Sequence, residues 1–365
     1  MLHRNLLRLA AGCMVVTALG VLPANAENLT FSSGLPQTHF WVGDHMDGFA
    51  TMMEERTKGE IKFTRFYGGE LVRVGGELDA LTSGIIDVAG PLLAPYNEGR
   101  FPLSDVTQLP MNNTNGRMAT EAFQELMDSK AEVKPGSTFY QYEIASKNIV
   151  AWPIGATPAF VISTTGKELK TPADFKGSPL RAGSALHTMV LENLGATPVY
   201  MPGTQAYEAM SRGTIDGMTN NIADWFSYSF QEVLKYTIKD GNFGHWESYL
   251  AVTKATWDSF SDEQKKAWDE AAREKALTNA DFWEKNRLDV IEKTSATGAK
   301  FPSLNDMSDE TKAFFAEASL KTWIAWIERT EAAGHPARAT AKLWAELMAA
   351  RGAQLPAGVA EYLAK

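Results

Sequence analysis

Cysteine is almost missing from this chain. The single one, Cys13, lies in an apolar N-terminal stretch. A product cut behind that stretch has no thiol, which excludes a disulfide framework, a cysteine metal site and a thiol nucleophile. Histidine is scarce as well. His3, His39, His45, His187, His245 and His335 are scattered, with no metal-ligand spacing among them. No Gly-x-Ser-x-Gly elbow, His-Glu-x-x-His, Walker loop or Gly-x-Gly-x-x-Gly occurs, so neither a cofactor nor a metal is expected. Positive charge is the minority: 35 Lys and Arg stand against 44 Asp and Glu, a net charge of −9. This argues against a nucleic-acid or anionic-membrane surface. It leaves room for a local anion site, because salt screens distant exposed charges. Beyond Leu22 no apolar run reaches the length of a membrane span.

What is present begins with an export signature. His3, Arg4 and Arg8 precede an apolar core from Leu9 to Leu22, and Ala24-Asn25-Ala26 fits a small-x-small cleavage site. Cleavage after Ala26 and delivery to the periplasm are expected. Leu9-Ala-Ala-Gly-Cys13 has the outline of a lipidation site, but the apolar core runs on past Cys13, which argues against it.

The body of the chain follows α/β grammar. Leu29–Ser33 and Ile61–Tyr67 read as strands around a helix that starts near His39. Ala80-Leu-Thr-Ser-Gly-Ile-Ile-Asp87 and Ala209-Met-Ser-Arg-Gly-Thr-Ile-Asp216 share one pattern of helix end, glycine, short strand and aspartate. Two such units suggest two lobes of like architecture, each offering strand-end loops to a shared crevice. Ser137 to Ser146 reads as extended and Ala223 to Tyr236 as an aromatic-rich helix. Ser261-Asp-Glu-Gln264 is a capping box opening a run without Gly or Pro to about Thr294, a helix long enough to brace both lobes. The expected division is 1–26 signal peptide, 27–152 plus about 248–285 lobe I, and 153–247 plus about 286–365 lobe II.

Thr171-Pro-Ala-Asp174 is another capping box. After it, Leu180-Arg181-Ala182 reads as a strand end and Gly183-Ser184 as the start of a helix. A guanidinium beside a helix N-terminus suits an anion. The loop Asp216-Gly-Met-Thr-Asn-Asn221 ends at the same crevice, where Asn220 and Asn221 offer amide donors and acceptors. Trp41, Phe160, Trp225 and Trp246 are the aromatics nearest the crevice loops, together with Tyr96 and His39. An enzyme acting on a carboxylated substrate, with His39 or His245 as base, stays open on these residues alone, as does a sensor.

The order TPADFKGSPLRA, LGATPVYMP, YEAMSRGTIDG and WDSFSDEQKKAWDEAA resembles the DctP-type solute-binding proteins of TRAP transporters over nearly the whole chain behind Ala26. The resemblance implies a two-lobed periplasmic binding-protein fold with crossing strands and a long helix spanning both lobes. It implies capture of an organic acid by domain closure and delivery to the small and large permease subunits; a monomer is expected. It puts the ligand arginine at Arg181 and the ligand asparagine at Asn220. A glutamate that helps hold a cation in some relatives is replaced by Thr219, which lowers the expectation of a metal. A second arginine of some relatives is missing from Phe160-Val-Ile-Ser163. With Trp41 and Trp246, this favours an aromatic or bulky apolar acid.

Overall fold

The structure is a computed structural model describing residues 27–97 and 99–365. The expected signal peptide, its cleavage site and Cys13 lie outside the described residues. Twelve strands are described: β1 (Glu27–Ser32), β2 (Ile61–Phe66), β3 (Val88–Leu92), β4 (Glu132–Lys134), β5 (Ser137–Thr138), β6 (Ile149–Pro153), β7 (Val161–Thr164), β8 (Pro179–Ala182), β9 (Thr197–Tyr200), β10 (Gly217–Asn220), β11 (Tyr236–Ile238) and β12 (Tyr249–Thr253). The helices are α1 (Asp47–Arg56), α2 (Glu77–Thr82), α3 (Gly116–Asp128), α4 (Phe139–Glu143), α5 (Pro172–Phe175), α6 (Ala185–Asn193), α7 (Gly203–Ser211), α8 (Lys254–Ser259), α9 (Asp262–Ser295), α10 (Asp309–Ala332), α11 (Ala337–Ala349) and α12 (Val359–Leu363).

Two five-stranded mixed sheets carry the fold, in the orders β2-β1-β3-β12-β6 and β9-β8-β10-β7-β11. They are built alike. In each, three parallel strands are followed by two that run antiparallel to their neighbours. The matched sequence units hold equivalent places: α2 leads through Gly84 into β3, and α7 leads through Gly213 into β10. Both glycines adopt the left-handed conformation that ends a helix cheaply, with φ of 74° and 68°. The α/β fold with two like lobes is therefore observed.

Two segments cross between the sheets. Residues 154–160 run from β6 to β7 and residues 239–248 from β11 to β12, and they pair on the way. Phe160 N–H donates to Gly244 O (2.9 Å), Phe243 N–H to Phe160 O (2.9 Å) and Ile154 N–H to Ser248 O (3.0 Å). The third link is α9, whose 34 residues make a rod of ~51 Å. Ser261 and Gln264 form the expected capping box. Trp268, Ala272 and Trp283 of this helix join the main apolar core, and Val290 joins a second cluster with Val161, Ile215, Met218 and Trp225. No helix among the described residues is long and apolar enough to cross a membrane.

Two expectations are corrected. Residues 139–143 are helical, not extended, because Thr138 and Gln141 close a capping box. Residues 222–236 are two short 3-10 turns, Ile222–Trp225 and Phe230–Glu232, and the start of β11. Ser229 breaks any longer helix with φ of 60°. In the stretch 286–365, α10 packs on α6 and α5, and α11 packs on α3 and β4 as well as on α10.

Candidate functional site

Arg181 sits on β8 between Val199 of β9 and Met218 of β10. Its strand neighbours Leu180 and Ala182 point into the core, so strand alternation sends the arginine to the other face. There the side chain is 4 % exposed. Nε donates to Met201 O (2.9 Å), Nη1 to Thr219 O (3.1 Å) and Nη2 to the Tyr96 hydroxyl (3.1 Å). Among the described residues no carboxylate lies within ion-pair distance of it. Gly183 stands directly behind: a Cβ there would lie 2.7 Å from Nη2 and 2.9 Å from Cζ and Nη1. The fork is thus aimed by three neutral acceptors and a glycine, with no ion-pair partner among the described residues.

It faces a cavity between the two sheets. Leu35, His39, Trp41, Val74, Leu93 and Tyr96 come from the first half, Thr157, Phe160 and Trp246 from the crossing segments. Pro202, Gly203, Thr204, Met218, Asn220, Asp224, Tyr228 and Phe230 complete the second half. The aromatic walls brace one another: Tyr96 against Trp246 at 5.4 Å between ring centroids, Phe160 against Trp246 at 5.7 Å and His39 against Trp41 at 5.3 Å. Burial raises the Tyr96 phenol above its usual pKa, against the lowering pull of Arg181, so Tyr96 faces Arg181 as a neutral hydroxyl.

A second polar patch lies on the wall. Asp224, on the 3-10 turn after β10, accepts from Asn221 Nδ2 at Oδ2 (2.7 Å). Its Oδ1 is buried without a hydrogen-bond partner, and His39 Nε2 stands 3.5 Å away. Burial pushes the Asp224 carboxyl up to about 7, while the Asn221 bond and the charge of Arg181 pull it down. Burial also pushes His39 down to about 3, so its ring is neutral. The Trp41 N–H donates to His39 Nδ1 (3.2 Å), which leaves the ring proton on Nε2.

Of the residues expected from the sequence, Arg181, Asn220, Trp41, His39, Phe160, Tyr96 and Trp246 line this cavity. Asn221 and Trp225 do not. Asn221 caps the turn behind Asp224, accepting from its N–H (3.1 Å), and Trp225 is fully buried against Phe301. The helix start at the cavity is also not the expected one. Ser184 caps α6 for itself, accepting from His187 N–H (3.1 Å) while donating to Gln108 Oε1 (2.5 Å), and the open N-terminus of α7 at Gly203 and Thr204 lines the space instead. Asn220 spends Oδ1 on Ser163 (3.0 Å) and Nδ2 on Asn221 O (3.0 Å). His245 lies off the cavity, with Nδ1 2.8 Å from Thr157 O and Nε2 2.7 Å from Thr114 Oγ1. Sequence reasoning missed Asp224 and Tyr228. The available signal was Asn221 three residues before Asp224, a side-chain cap that turns the chain there.

A family model of bacterial extracellular solute-binding proteins, family 7 (DctP), matches residues 31–329. A solute-binding protein of Albidiferax ferrireducens is 25% identical over 337 residues, 89% of this chain and 94% of that protein. A monocarboxylate 2-oxoacid-binding periplasmic protein of Nostoc sp. is 27% identical over 319 residues, covering 82% and 83%. Among solved structures, a marine metagenome TRAP solute-binding protein specific for aromatic acid ligands, in complex with metahydroxyphenylacetate, superposes with a TM-score of 0.78. It is 23% identical and covers 89% of this chain and 99% of that one. A TRAP solute-binding protein of Rhodoferax ferrireducens with copurified benzoate gives 0.76 at 21% identity, covering 89% and 98%.

Proposed function

Because the chain belongs to family 7 of the bacterial extracellular solute-binding proteins, the DctP family of TRAP transport systems, we propose that it binds a small aromatic acid between its lobes. Arg181 holds the carboxylate. The faces of Trp41, Phe160, Tyr96 and Trp246 enclose the apolar body, and Asn220 borders the polar end. The signal peptide is removed after Ala26, and the mature monomer carries its acid through the periplasm to the membrane subunits of the transporter. One observation supports this reading above the rest: a buried guanidinium with neutral partners only, opening on an aromatic cavity. A buried charge without a counter-ion is costly, and an incoming carboxylate supplies one.

Titration calorimetry with benzoate, phenylacetate and C4 dicarboxylates tests it. Arg181→Ala is expected to weaken the tightest acid by at least about a hundredfold, since an unpaired buried acid costs on the order of 3 kcal/mol or more, with the fold retained. Near-wild-type affinity sinks the assignment. Dicarboxylates binding as tightly as benzoate sink its aromatic part. Chromatography of the released acid checks that it leaves unchanged, as transport requires and catalysis does not.

A further inference from the structure

Nothing above uses Asp224 Oδ1. Asp224 lines the cavity, and its Oδ1 is buried and lacks a hydrogen-bond partner. A buried polar atom without a partner calls for an explanation, and on a residue of the cavity wall a ligand group can supply one. Its neighbour is chemically defined. His39 Nδ1 already accepts from the Trp41 amide, so Nε2 carries the proton and presents a donor 3.5 Å from the Asp224 acceptor. That separation is too long for a good hydrogen bond between them. It suits one oxygen seated against both. Resting on the reading of the cavity as an acid site, we infer that Asp224 and His39 determine specificity by recognising a hydroxyl group on the bound acid, which donates to Asp224 Oδ1 and accepts from His39 Nε2–H.

An ammonium group fits less well. It has donors only, so it would face the His39 N–H with nothing to accept that proton. A second carboxylate fits less well again, because it would meet Asp224 with like charge. The two recognising groups come from different halves of the molecule, His39 ahead of α1 and Asp224 behind β10. A hydroxyl between them is therefore complete only when the halves meet.

Asp224→Asn inverts the pattern at one atom. Asn221 Nδ2 donates to Oδ2, so an asparagine at 224 turns its own oxygen there and places its Nδ2 where Oδ1 was. Two donors then face the hydroxyl. The test measures affinities of the purified protein and of Asp224→Asn for benzoate and phenylacetate, their 2-, 3- and 4-hydroxy isomers and the matching aminomethyl compounds. At least one hydroxy isomer is expected to bind about tenfold or more tighter than its parent. The variant is expected to lose that advantage, read as the ratio of the isomer's affinity to its parent's in one preparation, and a thermal melt certifies its fold. A variant that binds neither parent nor isomer moves the comparison to His39→Phe, which must abolish the same advantage. Three results overturn the inference alone: hydroxy isomers no tighter than their parents, an advantage that survives both variants, or an aminomethyl compound that exceeds every hydroxy isomer in an Asp224-dependent way. If no acid in the panel binds, or if acids bind without need of Arg181, the inference falls together with the reading beneath it.

Discussion

Arg181 is legible in the sequence as a cation at the end of a strand, but its aim is not. Three backbone or phenol oxygens from residues 96, 201 and 219 fix the guanidinium, and none is a sequence neighbour. Gly183 completes the setting at a distance no Cβ could occupy. The atoms it would strike are the far end of a side chain, so Gly183→Ala is expected to displace the guanidinium and leave the backbone in place. The expected result is about tenfold weaker acid binding, ~1.4 kcal/mol, with a melting temperature near that of the parent protein. Calorimetry and a thermal melt on one preparation check both halves, and unchanged affinity rules the supporting role out. Asp224 and Tyr228 illustrate the reverse difficulty. They sit in Asp224-Trp-Phe-Ser-Tyr228, part of a stretch that reads as an aromatic-rich helix, and of these residues only Trp225 is a fully buried apolar side chain. Which side chain of an aromatic run faces a cavity depends on where the turn falls, and the left-handed Ser229 has no marker beyond its neighbours.

Elements with local signals were readable from the sequence. Thr171 with Asp174 and Ser261 with Gln264 both form the capping boxes their spacing announces, and α9 runs through to Ser295. The helix at 139–143 had the same announcement, Thr138 followed by Gln141, hidden behind aromatics that look strand-like. What no local signal gives is the seam between elements. Gly155, on the first crossing segment, lies against α9: a Cβ there would come within 2.6 Å of Ala276 O and Asn279 Oδ1 and 2.7 Å of Ala280 N. Its carbonyl also accepts from Trp41 Nε1 (2.6 Å), tying a cavity wall to the seam. Backbone atoms of a helix yield little, so Gly155→Ala forces the crossing strand off the helix. Overpacking of this kind costs about 1–3 kcal/mol. Urea unfolding is expected to show that loss, and a change below about 0.5 kcal/mol, the range of ordinary surface substitutions, would mean that the seam tolerates a methyl group.

At the scale of the molecule, two sheets of the same construction exchange their fourth positions: β12, reached by the return crossing, lies beside β3, and β7, reached by the outward crossing, lies beside β10. The sequence showed the two matched units. It could not show that α11 packs on α3, because an amphipathic helix does not state which partner covers it. Polar links join the halves, among them Arg181 to Tyr96 (3.1 Å) and Ser184 to Gln108 (2.5 Å), and the cavity walls are drawn from both. A ligand that touches Tyr96, His39 and Trp41 on one side and Arg181 and Asp224 on the other makes its full set of contacts only with the halves together. It therefore shifts the population toward the closed form by its differential affinity alone. Small-angle scattering with saturating aromatic acid is expected to give a smaller radius of gyration than the ligand-free protein. Arg181→Ala at the same acid concentration is expected to keep the ligand-free curve. Superimposable curves for the parent protein, under conditions where calorimetry shows full occupancy, would mean that binding does not move the halves and that the crossing segments are struts, not hinges.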